Sequence, residues 1–94
     1  MAVISDRLQK SIEAYCHAMD DDGIDDLARV VSNGSAAWFP DEFSEALREG
    51  YFTPREWERL TNVAMDDDDD EELDQYLRLV WSKVARDRPY PLDA

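Results

Sequence analysis

Tyr51-Phe52-Thr53-Pro54-Arg55-Glu56-Trp57-Glu58-Arg59-Leu60-Thr61 is the stretch that decides the fold class. Thr53 followed three residues later by Glu56 is a capping box, in which side chain and backbone satisfy each other at a helix start. Pro54 stands at the first helical position, where its fixed φ and missing N–H are tolerated. Phe52 before the cap and Trp57 at the fourth helical position have the spacing of a hydrophobic staple. Leu60, Val63 and Ala64 continue that face, so the spacing predicts a helix over 54–65.

The same period runs outward in both directions. Leu73, Tyr76, Leu77, Val80, Trp81 and Val84 form a sustained apolar stripe, predicting a helix over 70–86 that Pro89 and Pro91 prevent from continuing. Upstream, Trp38-Phe39-Pro40 opens a helix over 40–49 with Phe43, Ala46 and Leu47 inward and Gly50 as its stop. Ile24, Leu27, Ala28, Val30 and Val31 predict a helix over 24–33 that ends at Asn33-Gly34. Ser5 caps a first helix over 5–19 with Leu8, Ile12, Tyr15, Cys16 and Met19 on one face, ended by Asp20-Asp21-Asp22-Gly23. No segment alternates with period two. The expectation is an all-α bundle of about five helices with short connections, forming a single domain over 1–94.

A hydrophobic fraction of 44% with 11% aromatics is that of a folded chain, so a net charge of −13 does not signal disorder. The charge is global: residues 1–50 hold 11 acids and 4 bases, and residues 51–94 hold 12 and 6. Direct binding to nucleic acid is disfavoured, because that affinity comes from Lys and Arg neutralising phosphates. Anionic membranes are disfavoured for the same reason. One cysteine, Cys16, excludes an intrachain disulfide. The opening Met-Ala-Val-Ile-Ser-Asp has no cationic region followed by an apolar stretch, and nothing approaches a membrane span. A cytoplasmic protein is expected.

Within this background the acids are concentrated. Residues 66–72 are an unbroken run of seven carboxylates (Asp66, Asp67, Asp68, Asp69, Asp70, Glu71 and Glu72), and Asp74 follows. A second cluster holds Asp20, Asp21, Asp22, Asp25 and Asp26, so that 12 of the 23 acids lie in the two groups. Like charges at that density raise the energy of a compact state. A cationic partner is the simplest reason to keep them between two helices. Ala18-Met19-Asp20-Asp21-Asp22 recurs as Ala64-Met65-Asp66-Asp67-Asp68, and Asp25-Asp26-Leu27 as Glu71-Glu72-Leu73, both at an offset of 46. Each copy reads as helix, acidic elbow and second helix, and the two elbows would form one surface if the hairpins packed side by side.

Catalytic chemistry finds little footing. Cys16 and His17 are adjacent, so on a helix they point about 100° apart and do not meet as nucleophile and base. With a single histidine, acid–base work would fall to exposed carboxylates, which are poor evidence for a tuned pair. The expectation is no enzyme, no catalytic residue and no cofactor. An EF-hand alignment on Gly23 puts Ala18 at the first ligand position and Arg29 at the twelfth, and residues 66–70 lack the loop glycine, so no dedicated metal site is expected. Most aromatics fall on the apolar stripes. Trp38, Tyr51 and Tyr90 are less firmly placed and are candidates for interface anchors.

A small, very acidic helical chain lacking catalytic residues resembles the immunity proteins of bacterial toxin systems, of the colicin and contact-dependent growth inhibition type. A local likeness covers residues 51–91. Tyr51-Phe52-Thr53-Pro54-Arg55-Glu56-Trp57 starts a helix, an acidic stretch leads to Glu71-Glu72-Leu73, and that helix ends near Pro89-Tyr90-Pro91. This is similar to the first two helices of the nuclease-colicin immunity proteins. The resemblance implies that Glu71, Glu72 and Asp74 are specificity residues. The expected function is an immunity or antitoxin protein that binds a basic, nuclease-type toxin through both acidic clusters. Two other readings stand beside it: a nucleic-acid mimic that inhibits a DNA-binding protein, as phages encode, and a non-inhibitory acidic adaptor or assembly subunit.

Overall fold

Five helices and one 3-10 turn account for the regular structure of the computed structural model, which describes residues 4–93. In chain order they are α1 (Asp6–Tyr15), a 3-10 turn (His17–Met19), α2 (Asp21–Ser32), α3 (Phe39–Arg48), α4 (Pro54–Thr61) and α5 (Asp70–Val84). No strand occurs among the described residues. The all-α expectation therefore holds, and no helix among the described residues is long and apolar enough to cross a membrane.

The local signals act largely as their chemistry requires. Ser5 accepts a hydrogen bond from the Leu8 N–H at 3.2 Å, and Thr53 Oγ1 accepts one from the Glu56 N–H at 3.1 Å, capping α1 and α4. Glu56 does not complete the box. Its Oε2 instead accepts from the Tyr51 hydroxyl at 3.1 Å and from Arg59 Nη2 at 2.8 Å. The staple forms: Phe52 and Trp57 meet edge to face with centroids 5.4 Å apart. α3 closes in a Schellman arrangement, with Gly50 at φ 71°, its N–H on Leu47 and the Tyr51 N–H on the Ala46 carbonyl.

Three helix ends fall short of the periodic pattern. α1 stops at Tyr15, because Ala18 and Met19 take left-handed φ values of 56° and 53° to turn the chain. α4 stops at Thr61, where Asn62 at φ 61° supplies the left-handed cap. α5 stops at Val84, before either proline, as Ala85 adopts φ −146°. α2 differs at its other end. It starts at Asp21 under an Asp20 cap, so Gly23 lies inside the helix and not in a turn. A Cβ there would sit 2.4 Å from the Tyr15 carbonyl oxygen. The glycine is a contact point that lets the start of α2 approach the end of α1.

The core is one cluster drawn from all five helices, with Leu8, Ile12, Ile24, Leu27, Phe39, Phe43, Trp57, Leu60, Leu77 and Val80 among its buried members. Cys16 is buried in it, and burial pushes its thiol up to about 12, while His17 is exposed. Glu42 of α3 ties the start of α1 by accepting from the Ser5 hydroxyl and from Arg7. Partial burial opposes its ionisation, but the Ser5 and Arg7 bonds win and hold its carboxyl below the usual 4.5.

Two outcomes follow for stability. Gly23→Ala should cost about 1–3 kcal/mol by overpacking the α1–α2 contact, read as a lower urea midpoint with an unchanged slope. Glu42 has a lowered folded-state pKa, so its contribution is present above the ordinary carboxylate range and fades as pH falls through the lowered value. Glu42→Gln should therefore be less stable than the parent at pH 7, and the gap should close in acid. A gap that persists unchanged in acid would assign the loss to packing.

Candidate functional site

Residues 62–69 link α4 to α5 and carry the first half of the acid run. Their backbone is fixed by bonds from both sides. Glu58 Oε1 of α4 accepts from the Met65 N–H at 2.8 Å. Asp69 Oδ2 reaches back to the Asp66 N–H at 2.8 Å, and the Asp69 N–H donates to the Asp66 carbonyl at 3.0 Å. Arg55 forks across the gap, with Nε and Nη2 each 3.2 Å from the two oxygens of Asp67. Inside the bend, the buried Thr61 hydroxyl donates to the Trp57 carbonyl at 2.7 Å and accepts weakly from the Val63 N–H.

The early end of α4 matters electrostatically. A helix reaching residue 65 would place its negative carbonyl end beside Asp66. Stopping at Thr61 moves the run away from that end and next to the positive start of α5, whose first turn holds Asp70, Glu71 and Glu72. The dipole of α5 therefore offsets part of the repulsion within the run. The rest is left standing: among the described residues, Asp67 is the one member of the run with an ion-pair partner. That pair is exposed, and such pairs contribute little.

Side chains of the run divide by what they touch. Asp69 is half-buried and serves the loop, and Glu72 Oε1 accepts from the Tyr76 hydroxyl at 2.7 Å, a bond that holds the phenol above its usual pKa. Asp66, Asp68, Asp70 and Glu71 project into solvent. Carboxylate oxygens of Asp66, Asp68 and Asp69 lie within 4.8 Å of one another. Such a group accepts an ammonium or guanidinium as well as a metal ion. A shallow groove of about 430 Å³ runs beside it, between Asp68 and Asp69 on one side and Gln75 and Tyr76 on the other. Asp74, one turn on, is engaged by Arg78 at 2.7 Å.

The second cluster is built differently. Asp20 Oδ1 caps α2 by accepting from the Asp22 N–H at 3.2 Å, and Asp21 and Asp22 fill its first turn. Asp26 pairs with Arg29, and Asp25 pairs across helices with Lys83, each at 3.1 Å. Lys83 lies 13 residues after Asp70 in α5, which is about 20 Å of helix. Asp25 thus sits toward the far end of α5 from the run, and these pairs do not merge the two groups into one face. The 46-residue similarity is kept in element order alone. Asp20–Asp22 cap and open a helix, while the matching Asp66–Asp68 lie in the connection before one.

The three uncertain aromatics belong to the fold. Tyr90 is buried against Trp81 with centroids 6.5 Å apart. Trp38 is half-buried under Arg7 at 4.5 Å, and Tyr51 bonds Glu56 and Arg59. Sequence reading passed over Arg55 and Glu58, which shape the elbow from α4. Their partners lie 12 and 7 residues away in the chain, spacings that no local motif encodes.

No protein-family model matches the chain, and no curated protein or solved structure shows significant similarity to it.

Asp68 makes no ion pair or hydrogen bond among the described residues and sits amid like charges. Asp68→Asn should therefore raise stability by a few tenths of a kcal/mol, with the largest gain at low salt. An unchanged or lower melting temperature at low ionic strength would show that the run carries no strain.

Proposed function

We propose that the protein is a stoichiometric inhibitor of the immunity or antitoxin kind, which neutralises a basic nuclease-type toxin by docking its acidic elbow on the toxin's cationic face. The observation that carries this reading is the fixed elbow itself: seven adjacent carboxylates on a hydrogen-bonded bend, with one internal cation among the described residues. A charge run needed only for solubility gains nothing from a backbone held at Met65, Asp66 and Asp69. A run meant to meet Lys and Arg gains a great deal, because ordered carboxylates lose less freedom on binding.

The weight shifts within the residues singled out from the sequence. Asp68, Asp70 and Glu71 are exposed and uncommitted, so they are the strongest candidates for partner contact. Asp66 and Glu72 flank them. Asp67, Asp69 and Asp74 already serve Arg55, the loop backbone and Arg78. Asp20, Asp21 and Asp22 offer a smaller secondary surface, and Asp25 and Asp26 are paired internally. Concentration of free acid on one bend favours a local cationic patch as partner over the extended charge ladder of a nucleic-acid mimic. On this reading the elbow sets the association rate by complementary charge, toward about 10⁸ M⁻¹s⁻¹ at low salt.

The test is capture on the immobilised protein from lysate of the native organism, beside a variant carrying Asp68→Lys, Asp70→Lys and Glu71→Lys. A basic protein with nuclease activity should be retained by the parent and inhibited by it at one-to-one stoichiometry. The triple variant should associate at least tenfold more slowly at low salt, with a flattened salt dependence. A retained nuclease that stays active, or association kinetics that the three lysines leave unchanged, would overturn the reading.

A further inference from the structure

The groove between α2 and α5 has the opposite charge character from the other grooves of the surface. Arg29 and Ser32 of α2 line one side, and Ser82, Lys83 and Arg86 line the other, around a volume of about 600 Å³. Asp25 is the one acid in the lining, against three cations. Each of the other four grooves described on this surface is lined by more carboxylates than cations. In a chain with 23 acids and 10 bases, a groove of this composition runs against the average.

The cations there have donors to spare. Lys83 pairs with Asp25 and Arg29 with Asp26, each through one contact at 3.1 Å. An ammonium carries three N–H donors and a guanidinium five. Among the described residues, Arg86 has no carboxylate within ion-pairing distance and the Ser32 hydroxyl has no hydrogen-bond partner. Arg29 and Lys83 stand in the last turns of their helices, where a cation offsets the carbonyl end. That accounts for their sign, but not for the convergence of cations from two elements on one cleft.

We propose that this groove binds a small, soluble, polyvalent oxyanion of the phosphate or pyrophosphate type. Arg29 and Arg86 present forked N–H pairs, Lys83 a point charge, and Ser32 a neutral donor, the set that phosphate oxygens accept. The acidic elbow does not forbid it. Asp70 lies about 20 Å of helix from Lys83, and the Debye length at physiological ionic strength is about 8 Å. Of the nearer acids, Asp25 and Asp26 are already paired and the anion would share their cations, while Asp87, next to Arg86 in the chain, is exposed and does not line the groove. This site lies toward the opposite end of α5 from the elbow and is independent of the toxin-binding reading.

The experiment is titration of ¹⁵N-labelled protein with inorganic pyrophosphate at constant ionic strength, following the amides of residues 25–33 and 79–88. Saturable shifts confined to those two segments are expected, with half-saturation at about 1 mM or below. Arg86→Gln, an exposed change that removes no bond of the fold, should weaken binding at least tenfold while leaving the far-ultraviolet dichroism unchanged. Shifts that stay linear, that sodium chloride reproduces, or that Arg86→Gln leaves intact would overturn the proposal. Phosphatidylcholine vesicles containing phosphatidic acid present the same phosphate on a surface. They should not retain the protein, and retention without a pyrophosphate response would overturn the assignment to a soluble ligand.

Discussion

Phe43 is the constraint on which the rest of the structure depends. From the middle of α3 it stacks on Phe39 at 5.5 Å, meets Phe52 at 5.1 Å and lies against Trp81 of α5 at 6.3 Å. Phe52 then passes the contact to Trp57 at the start of α4. One ring thus joins α3 to α5 directly and to α4 through Phe52, the staple residue before its cap. Burial of large aromatics is the densest source of apolar stabilisation available to so short a chain. It sets the helices between which the hydrogen bonds of Glu58 and Asp69 and the Arg55–Asp67 pair hold the acidic junction.

The charge is arranged so that this core can carry it. Each of the five helices has acids in its first turn: Asp6, Asp21 and Asp22, Asp41 and Glu42, Glu56, and Asp70 through Glu72. Arg29, Arg48, Arg59 and Lys83 occupy last turns. Those charges sit where the helix dipole favours them, against Arg7 and Arg55 in first turns and Glu13, Glu45 and Glu58 in last turns. The elbow is an intensification of a pattern that runs through the whole domain, and α5 is its most polarised member. On the proposed reading, recognition draws on charge that folding already tolerates.

What was legible in the sequence follows from the range of the forces involved. Capping and stapling act within a few residues, so Thr53, Pro54 and the Phe52–Trp57 pair announced α4 correctly. The stripe of α5 was equally plain, because five of its apolar side chains are buried. The ends were less readable. Ala18 and Met19 take left-handed backbone without glycine, with Met19 packed on the core, and apolar periodicity alone ran through them. Gly23 looked like a stop because glycine usually is one, whereas its missing Cβ serves the Tyr15 carbonyl across a helix pair. The acid run was obvious as composition, but its mounting was not. Arg55 and Glu58 reach it from another helix, and only the fold brings them together.

The division of labour inside the elbow has an evolutionary consequence. Glu58, Asp69 and Arg55 hold the bend, while Asp68, Asp70 and Glu71 make no side-chain hydrogen bond or ion pair among the described residues. Substitutions at the second set break neither the core nor the bonds that fix the bend, and at Asp70 and Glu71 they touch only the dipole interaction at the start of α5. On the proposed reading, a lineage exchanges one binding preference for another there without passing through an unfolded intermediate. The same scaffold would then keep pace with a changing partner.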